Sequence, residues 1–218
     1  MVIAIDGPGG VGKSTVSQGV SAELGLAYLD TGSTYRAATL VVLRSGVDVS
    51  NEEAILQELS LRTIDYSSNG IMLDGESIVA DVRSAEVTGT VSAVSAHPKV
   101  REAIVELQRA WVADHNGDAV VEGRDIGTVV FPDAPVKVFL TASPEVRAAR
   151  RAGDDEASAQ SVAEIAAALR ARDEADANRE TSPMRAAGDA VVIDTSEMTI
   201  DEVIGRIVAI AGRSDAAI

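Results

Sequence analysis

Apolar positions in this chain recur as short β-branched runs separated by longer stretches with helical spacing, and that alternation sets the expected architecture. Residues 2–5 form the first run and end at Asp6 and a glycine cluster, the pattern of a buried strand entering a loop. Residues 14–24 then have helical character and stop at Gly25. Residues 31–43 predict a second helix closed by Gly46, and residues 51–61 a third capped by Asn51. Between residues 64 and 82 the pattern changes. Asn69-Gly70 and Asp74-Gly75 are turn signals flanked by Ile71, Leu73, Ile78 and Val79, so a small antiparallel insertion is expected there. Helical spacing returns at residues 85–96 and, after Pro98, at residues 100–112.

The second half repeats the alternation. Residues 119–121 and 136–140 are apolar runs expected to be central parallel strands, separated by a loop rich in glycine and bearing proline. Residues 144–151 and 162–178 read as helices with an acidic polar stretch at 152–161 between them, a candidate mobile flap. Residues 190–193 give a last strand and residues 200–211 a closing amphipathic helix. Strand and helix in turn predict an α/β sandwich of three layers with a mostly parallel central sheet, and the length suits a single domain over residues 1–218. Functional residues of such a fold belong at the strand ends.

Composition narrows the classes of function. Hydrophobic types make up 46% of the chain and can fill a core, while aromatics are only 3%, so that core is expected to be Val, Ile, Leu and Ala. No apolar stretch approaches the roughly 20 residues that span a bilayer, and the start lacks the order of a signal peptide, so a cytoplasmic protein with no membrane partner is expected. With no cysteine, disulfides and thiolate metal sites are excluded. The formal net charge of -15 counts against a nucleic-acid surface, so any phosphate site must be a local exception. Only Lys13, Lys99 and Lys137 are lysines; the other basic residues are arginines, whose planar forks suit phosphate oxygens.

One such exception stands directly after the first run. Gly7-Pro8-Gly9-Gly10-Val11-Gly12-Lys13-Ser14 matches G-x-x-x-x-G-K-[ST] at every fixed position, with a strand before it and a helix after it. Glycines let the backbone curl its N–H groups around a β-phosphate, and the helix start adds positive potential. Lys13 would bridge the β- and γ-phosphates of ATP, and the Ser14 hydroxyl would ligate Mg²⁺, with Thr15 next in the loop. An Asn-Lys-x-Asp base reader of switch GTPases is not found. Asp173-Glu174-Ala175-Asp176 spells a helicase motif but lies in a charged, Ala-rich helix rather than after an apolar strand, which argues against that reading.

Two further segments are Leu29-Asp30-Thr31-Gly32-Ser33-Thr34-Tyr35-Arg36 and Glu122-Gly123-Arg124-Asp125-Ile126-Gly127-Thr128-Val129-Val130-Phe131-Pro132-Asp133-Ala134. With the phosphate loop, Gln108-Arg109-Ala110 and the stretch Arg172-Asp173-x-x-Asp176-x-Asn178-Arg179, they closely resemble the bacterial cytidylate kinase family over nearly the whole chain. The resemblance implies transfer of the γ-phosphoryl of ATP to CMP or dCMP, with an enlarged monophosphate-binding insertion at about residues 62–83 and a lid at about 147–161. It implies that Arg36, Arg124 and Arg179 hold the acceptor monophosphate, with Tyr35 in the same motif as Arg36. It further implies that Arg109, Asp125 and Thr31 read the cytosine edge, and that Arg172 and Asp176 face the acceptor's sugar. Lys13, Arg124, Arg179 and Asp125 form the expected catalytic set. Arg147, Arg150 and Arg151 resemble the start of the lid over ATP, and Arg150 and Arg151 are the ATP contacts expected from it. Thr31 stands where serine is the commoner choice, and Gly153-Asp154-Asp155-Glu156 makes the lid unusually acidic.

The same residues make physical sense without the resemblance. An acceptor monophosphate brought beside a triphosphate meets strong like-charge repulsion, and arginines from well-separated segments would offset it. From the residues alone, Asp125 is also placed to form a structural ion pair with Arg124, and Arg172 and Arg179 to be solvated helix residues. Their seven-residue spacing puts both on one helix face. His97, His115 and Trp111 are expected to be cap, surface and core residues. The rival readings are another small-acceptor kinase, for a different nucleoside monophosphate or shikimate, and a nucleotide-binding regulator without turnover. A monomer is expected.

Overall fold

The computed structural model describes residues 1–67, 70–154, 161–179 and 181–215. It divides into two compact units. One comprises Met1–Leu29 and Gly117–Ile218, the other Asp30–Asn116.

The first unit is built on a five-stranded sheet of order β2-β6-β1-β7-β8: β1 (Val2–Asp6), β2 (Ala27–Asp30), β6 (Ala119–Gly123), β7 (Val136–Thr141) and β8 (Val191–Asp194). β1 runs parallel to both β6 and β7, and β7 parallel to β8. As the central strand β1 is covered on both faces, and Ile3, Ala4 and Ile5 are fully buried. That is why its sequence reads as a continuous apolar run rather than an alternating one. α1 (Lys13–Leu24) and α8 (Ile200–Asp215) pack on this sheet through Val16, Val20, Val203 and Ile207. Gly25, in the left-handed region at φ 66°, ends α1 by donating its N–H to the Ser21 carbonyl. The two remaining helices are α6 (Pro144–Asp154) and α7 (Val162–Ala177). α7 starts with a capping box between Ser161 and Glu164.

The second unit carries α2 (Thr31–Ser45), α3 (Glu52–Ser60), α4 (Ala85–Val94) and α5 (Pro98–Asp114). The three-stranded antiparallel sheet of β3 (Ile64–Ser67), β4 (Gly70–Leu73) and β5 (Glu76–Ser77) is the expected insertion. Of its first turn signal, Asn69 lies outside the described residues. Ile71, Leu73 and Ile78 turn inward onto Ala37, Leu40 and Val41 of α2.

The expected helices and strands are all present, with ends shifted by a few residues. Three features were not anticipated. β2 has no β-branched residue and lies directly between a helix end and the next helix start. A 3-10 turn spans Asp81–Arg83, and a π-helical turn Ile126–Val130 follows β6. α7 ends at Ala177, one residue before the expected end, and Arg179 follows its C-cap Asn178. Part of the expected lid, 155–160, is outside the described residues, as are residues 216–218 of the tail. Among the described residues no helix is long and apolar enough to cross a membrane.

Candidate active site

β1 delivers the chain straight into the phosphate loop. At Gly7 the backbone passes so close to β7 that a Cβ would sit 2.3 Å from the Leu140 carbonyl oxygen, so only glycine fits. Gly10 adopts φ 77°, and a side chain there would meet the Arg147 carbonyl. α1 begins at Lys13, and Ser14 is exposed in its first turn. The loop is braced from outside by arginines. Lys13 Nζ donates to the Pro8 carbonyl at 2.8 Å, Arg124 Nη1 to the Gly7 carbonyl at 2.5 Å, and Arg147 Nε to the Gly9 carbonyl at 2.6 Å. Arg147 also pairs with Asp173 of α7, whose carboxylate accepts from the Gly9 N–H at 3.3 Å.

Beside the loop lies a cluster of arginines in the same unit. Asp176, 1% exposed, pairs through one oxygen with Arg124 Nε at 3.0 Å and through the other with Arg179. Burial pushes the Arg124 guanidinium down from its ordinary range, opposed first by Asp176, while Arg172 and Arg179 add to the shift. Arg172 brings a buried Nε with no hydrogen-bond partner in the protein. Four guanidinium groups, of Arg124, Arg147, Arg172 and Arg179, around the carboxylates of Asp173 and Asp176 leave a net positive region in an otherwise acidic chain. The expected residues Lys13, Arg124, Arg172, Asp176 and Arg179 are thus brought together.

Asp125 follows Arg124 and is 4% exposed. Its carbonyl accepts from the N–H groups of Val129 and Val130, which starts the π-helical turn. The first two N–H groups of that turn, from Ile126 and Gly127, donate to the two oxygens of Asp6 at 2.8 Å each. Burial raises the Asp6 carboxyl to about 6, although those two bonds pull the other way.

Arg150 is held by residues of its own unit. Its guanidinium donates to Oγ1 and to the carbonyl of Thr195 after β8, at 2.9 and 2.7 Å, and Thr195 in turn meets the Val11 carbonyl at 3.3 Å. Arg150 is therefore tied to the rim of the phosphate loop, whereas Arg151 is exposed.

In the second unit, Asp30 caps α2 by accepting from the Ser33 N–H, and Thr31, 3% exposed, occupies the first turn. Arg36 is held by the Val82 carbonyl at 3.0 Å and Thr88 Oγ1 at 2.9 Å. Gln108 Nε2 donates to Thr34 Oγ1, which donates to the Thr31 carbonyl, both at 2.8 Å. Arg109 is exposed on α5. The arginine of α5 that the fold buries is Arg101, which is 4% exposed, has its Cζ 5.0 Å from the Tyr35 ring centroid, and donates to the Ser95 carbonyl. Sequence reasoning passed over Arg101, and a signal was there. Positions 101, 104, 108 and 111 form one helical stripe that residue 109 leaves. Trp111 is core, with its Nε1 donating to the Tyr66 carbonyl, and His97 bonds the Val49 carbonyl.

Comparison with known proteins shows the family. The family model for cytidylate kinase matches residues 3–213. A cytidylate kinase of Streptomyces griseus subsp. griseus is 50% identical over 214 residues, covering 96% of this chain and 92% of its own. That of Mycobacterium leprae is 47% identical over 220 residues, covering 100% of this chain and 98% of its own. Among solved structures, a sugar kinase of Janibacter sp. HTCC2649 superposes with a TM-score of 0.50 at 14% identity, covering 97% of this chain and 94% of that chain, which shows a shared fold alone. A match over almost the whole length, with a phosphate loop braced by buried arginines, means that this chain belongs to the cytidylate kinase family, ATP-dependent phosphotransferases acting on CMP and dCMP.

Proposed function

We propose that this chain transfers the γ-phosphoryl group of ATP to CMP or dCMP with the residues assembled around its phosphate loop. The observation that carries the reading is the Asp176 bridge, which holds Arg124 and Arg179 beside the loop while Arg124 also grips the Gly7 carbonyl. Phosphoryl transfer needs positioning and charge stabilisation more than a base, because the attacking phosphate oxygen is already ionised. Lys13 stabilises charge on the transferred group, and the loop N–H groups hold the β-phosphate. Arg124 and Arg179 offset repulsion between donor and acceptor, and Arg36 binds the acceptor phosphate. Asp176 orients the two arginines that flank it. The orphaned Nε of Arg172 fits a contact with the acceptor's sugar side.

Mg²⁺ fits the donor set. Ser14, exposed in the first turn of α1, would offer its hydroxyl to the ion. When bound, the ion supplies neutralisation of the triphosphate charge. Asp125 reads the cytosine amino group, because an ionised carboxylate can only accept hydrogen bonds and would face the uracil carbonyl lone pair to lone pair. The role expected of Arg109 in base recognition passes to Arg101, with Thr31 as a hydroxyl partner.

Single alanine variants test it. Arg36→Ala, Arg124→Ala, Arg179→Ala and Arg101→Ala should each lower kcat/KM for CMP at least about tenfold, since a hydrogen bond to a charged group contributes about 1.5–3 kcal/mol. KM for ATP should move less, and Arg109→Ala should behave like the parent. Four parent-like arginine variants would place the acceptor elsewhere.

A further inference from the structure

Asp125 stands at the N-cap position of the π-helical turn Ile126–Val130, yet its side chain makes no capping bond to that turn. This is unusual for an aspartate at a helix start, where the carboxylate ordinarily accepts one of the unpaired N–H groups. Here another residue has taken that task. The carboxylate of Asp6, at the end of β1, accepts from both Ile126 N and Gly127 N at 2.8 Å, across 120 residues of sequence. The bonds form inside the core, since Asp6 and Asp125 are each 4% exposed. The turn therefore has its first two donors satisfied before Asp125 is needed.

We propose that Asp6 is a positioning residue which, by capping the turn in place of Asp125, keeps the Asp125 carboxylate directed to the base and so sets the choice of cytosine over uracil. This rests on the assignment of Asp125 as base reader made above. Without an ionised Asp6, one of the two buried N–H groups loses its acceptor, and Asp125, at the N-cap of the same turn, carries a carboxylate that can take its place. A carboxylate drawn back to its own turn cannot accept from a cytosine amino group. Asp6 is also the residue before Gly7, so the strand that carries the phosphate loop directly fixes the segment that reads the acceptor.

Asparagine at position 6 keeps the shape but offers one acceptor oxygen, and its amide N–H₂ confronts the second turn N–H. Protonation of Asp6 has the same consequence. Burial raises its pKa to about 6, so the loss falls within a measurable range. The charged groups facing it are Asp125 and Lys13. The Lys137 side-chain stem also lies against Gly127, close to an Asp6 oxygen.

The experiment is kcat/KM for CMP and for UMP at saturating ATP in the parent, Asp6→Asn, Asp125→Asn and the double variant, from about pH 5.5 to about pH 7.5, on either side of the raised pKa. Taking the CMP to UMP ratio cancels titration of the acceptor phosphate, which both nucleotides share. Asp6→Asn should lower the ratio at neutral pH at least about fivefold, and the double variant should match Asp125→Asn, because the two changes act through one group. The parent's ratio should fall with pH towards that of Asp6→Asn, whose own ratio stays flat. The parent profile keeps the test in force should the variant fold poorly. A ratio unmoved in Asp6→Asn but changed in Asp125→Asn overturns this inference alone, as does a parent ratio flat with pH. A ratio unmoved in both variants overturns the Asp125 assignment and this inference together.

Discussion

At neutral pH the buried Asp6 carboxylate works against folding. Its pKa is about 6 in the folded chain against an ordinary 3.8, so the native state takes up the proton more readily than the unfolded one. The stability this group contributes is then fully present below about pH 4 and is lost as pH rises through about 6. Relative to Asp6→Asn, the parent should lose about 2 kcal/mol of unfolding free energy between about pH 4 and about pH 7. Urea denaturation of both proteins at the two pH values checks this, and a difference that is flat or of opposite sign would contradict it. Lys13→Ala should leave the far-ultraviolet circular dichroism unchanged while lowering kcat by at least about 10²-fold at saturating ATP, since it removes a cation from developing phosphoryl charge. An unaltered kcat would remove Lys13 from the mechanism. The phosphate loop was legible because its chemistry demands consecutive residues. The burial of Arg101 and the capping by Asp6 were not, because each depends on a partner far along the chain, and an arginine or aspartate in one sequence carries no mark of whom it will meet.

Among the elements, α1 matters most because it carries the phosphate loop on its N-terminus. Its contact with α8 is tight at Gly19, where a Cβ would lie 2.2 Å from Cδ1 of Ile204. Gly19→Ala gains about 1 kcal/mol of helix propensity but overpacks the contact by about 1–3 kcal/mol, so it should lower Tm. In an Ile204→Ala background, which removes Cδ1 together with Cγ1 and Cγ2, the same change should be neutral or stabilising. Thermal melts of the four proteins in that cycle measure the reversal; a Gly19→Ala cost independent of residue 204 would contradict it. The longer elements were legible from periodicity and from the glycines that close α1 and α2. β2 was not, because Ala27-Tyr28-Leu29-Asp30 has no β-branched residue, whereas the equally short β8 is Val-Val-Ile-Asp. Nor was the π-helical turn, since its two leading N–H groups are held by Asp6 of β1 rather than by a side chain beside them.

For the whole molecule, the formal charge of -15 contrasts with a site built of guanidinium groups. The fold gathers the arginines locally around the phosphate loop and pins them with Asp173 and Asp176, which suits the role proposed for them. Such pinning leaves them preorganised, so little ordering remains when phosphates arrive. The central claim is that turnover of ATP is coupled to a cytidine monophosphate acceptor. ADP formation at saturating Mg²⁺ and ATP, with CMP, dCMP, UMP, another nucleoside monophosphate, shikimate or no acceptor, tests it most directly. Rapid ADP formation is expected with CMP and dCMP, accompanied by the corresponding diphosphate, with much slower formation with UMP and near-background hydrolysis with no acceptor. ADP released at the same rate with and without CMP, or faster with a different acceptor, would contradict it.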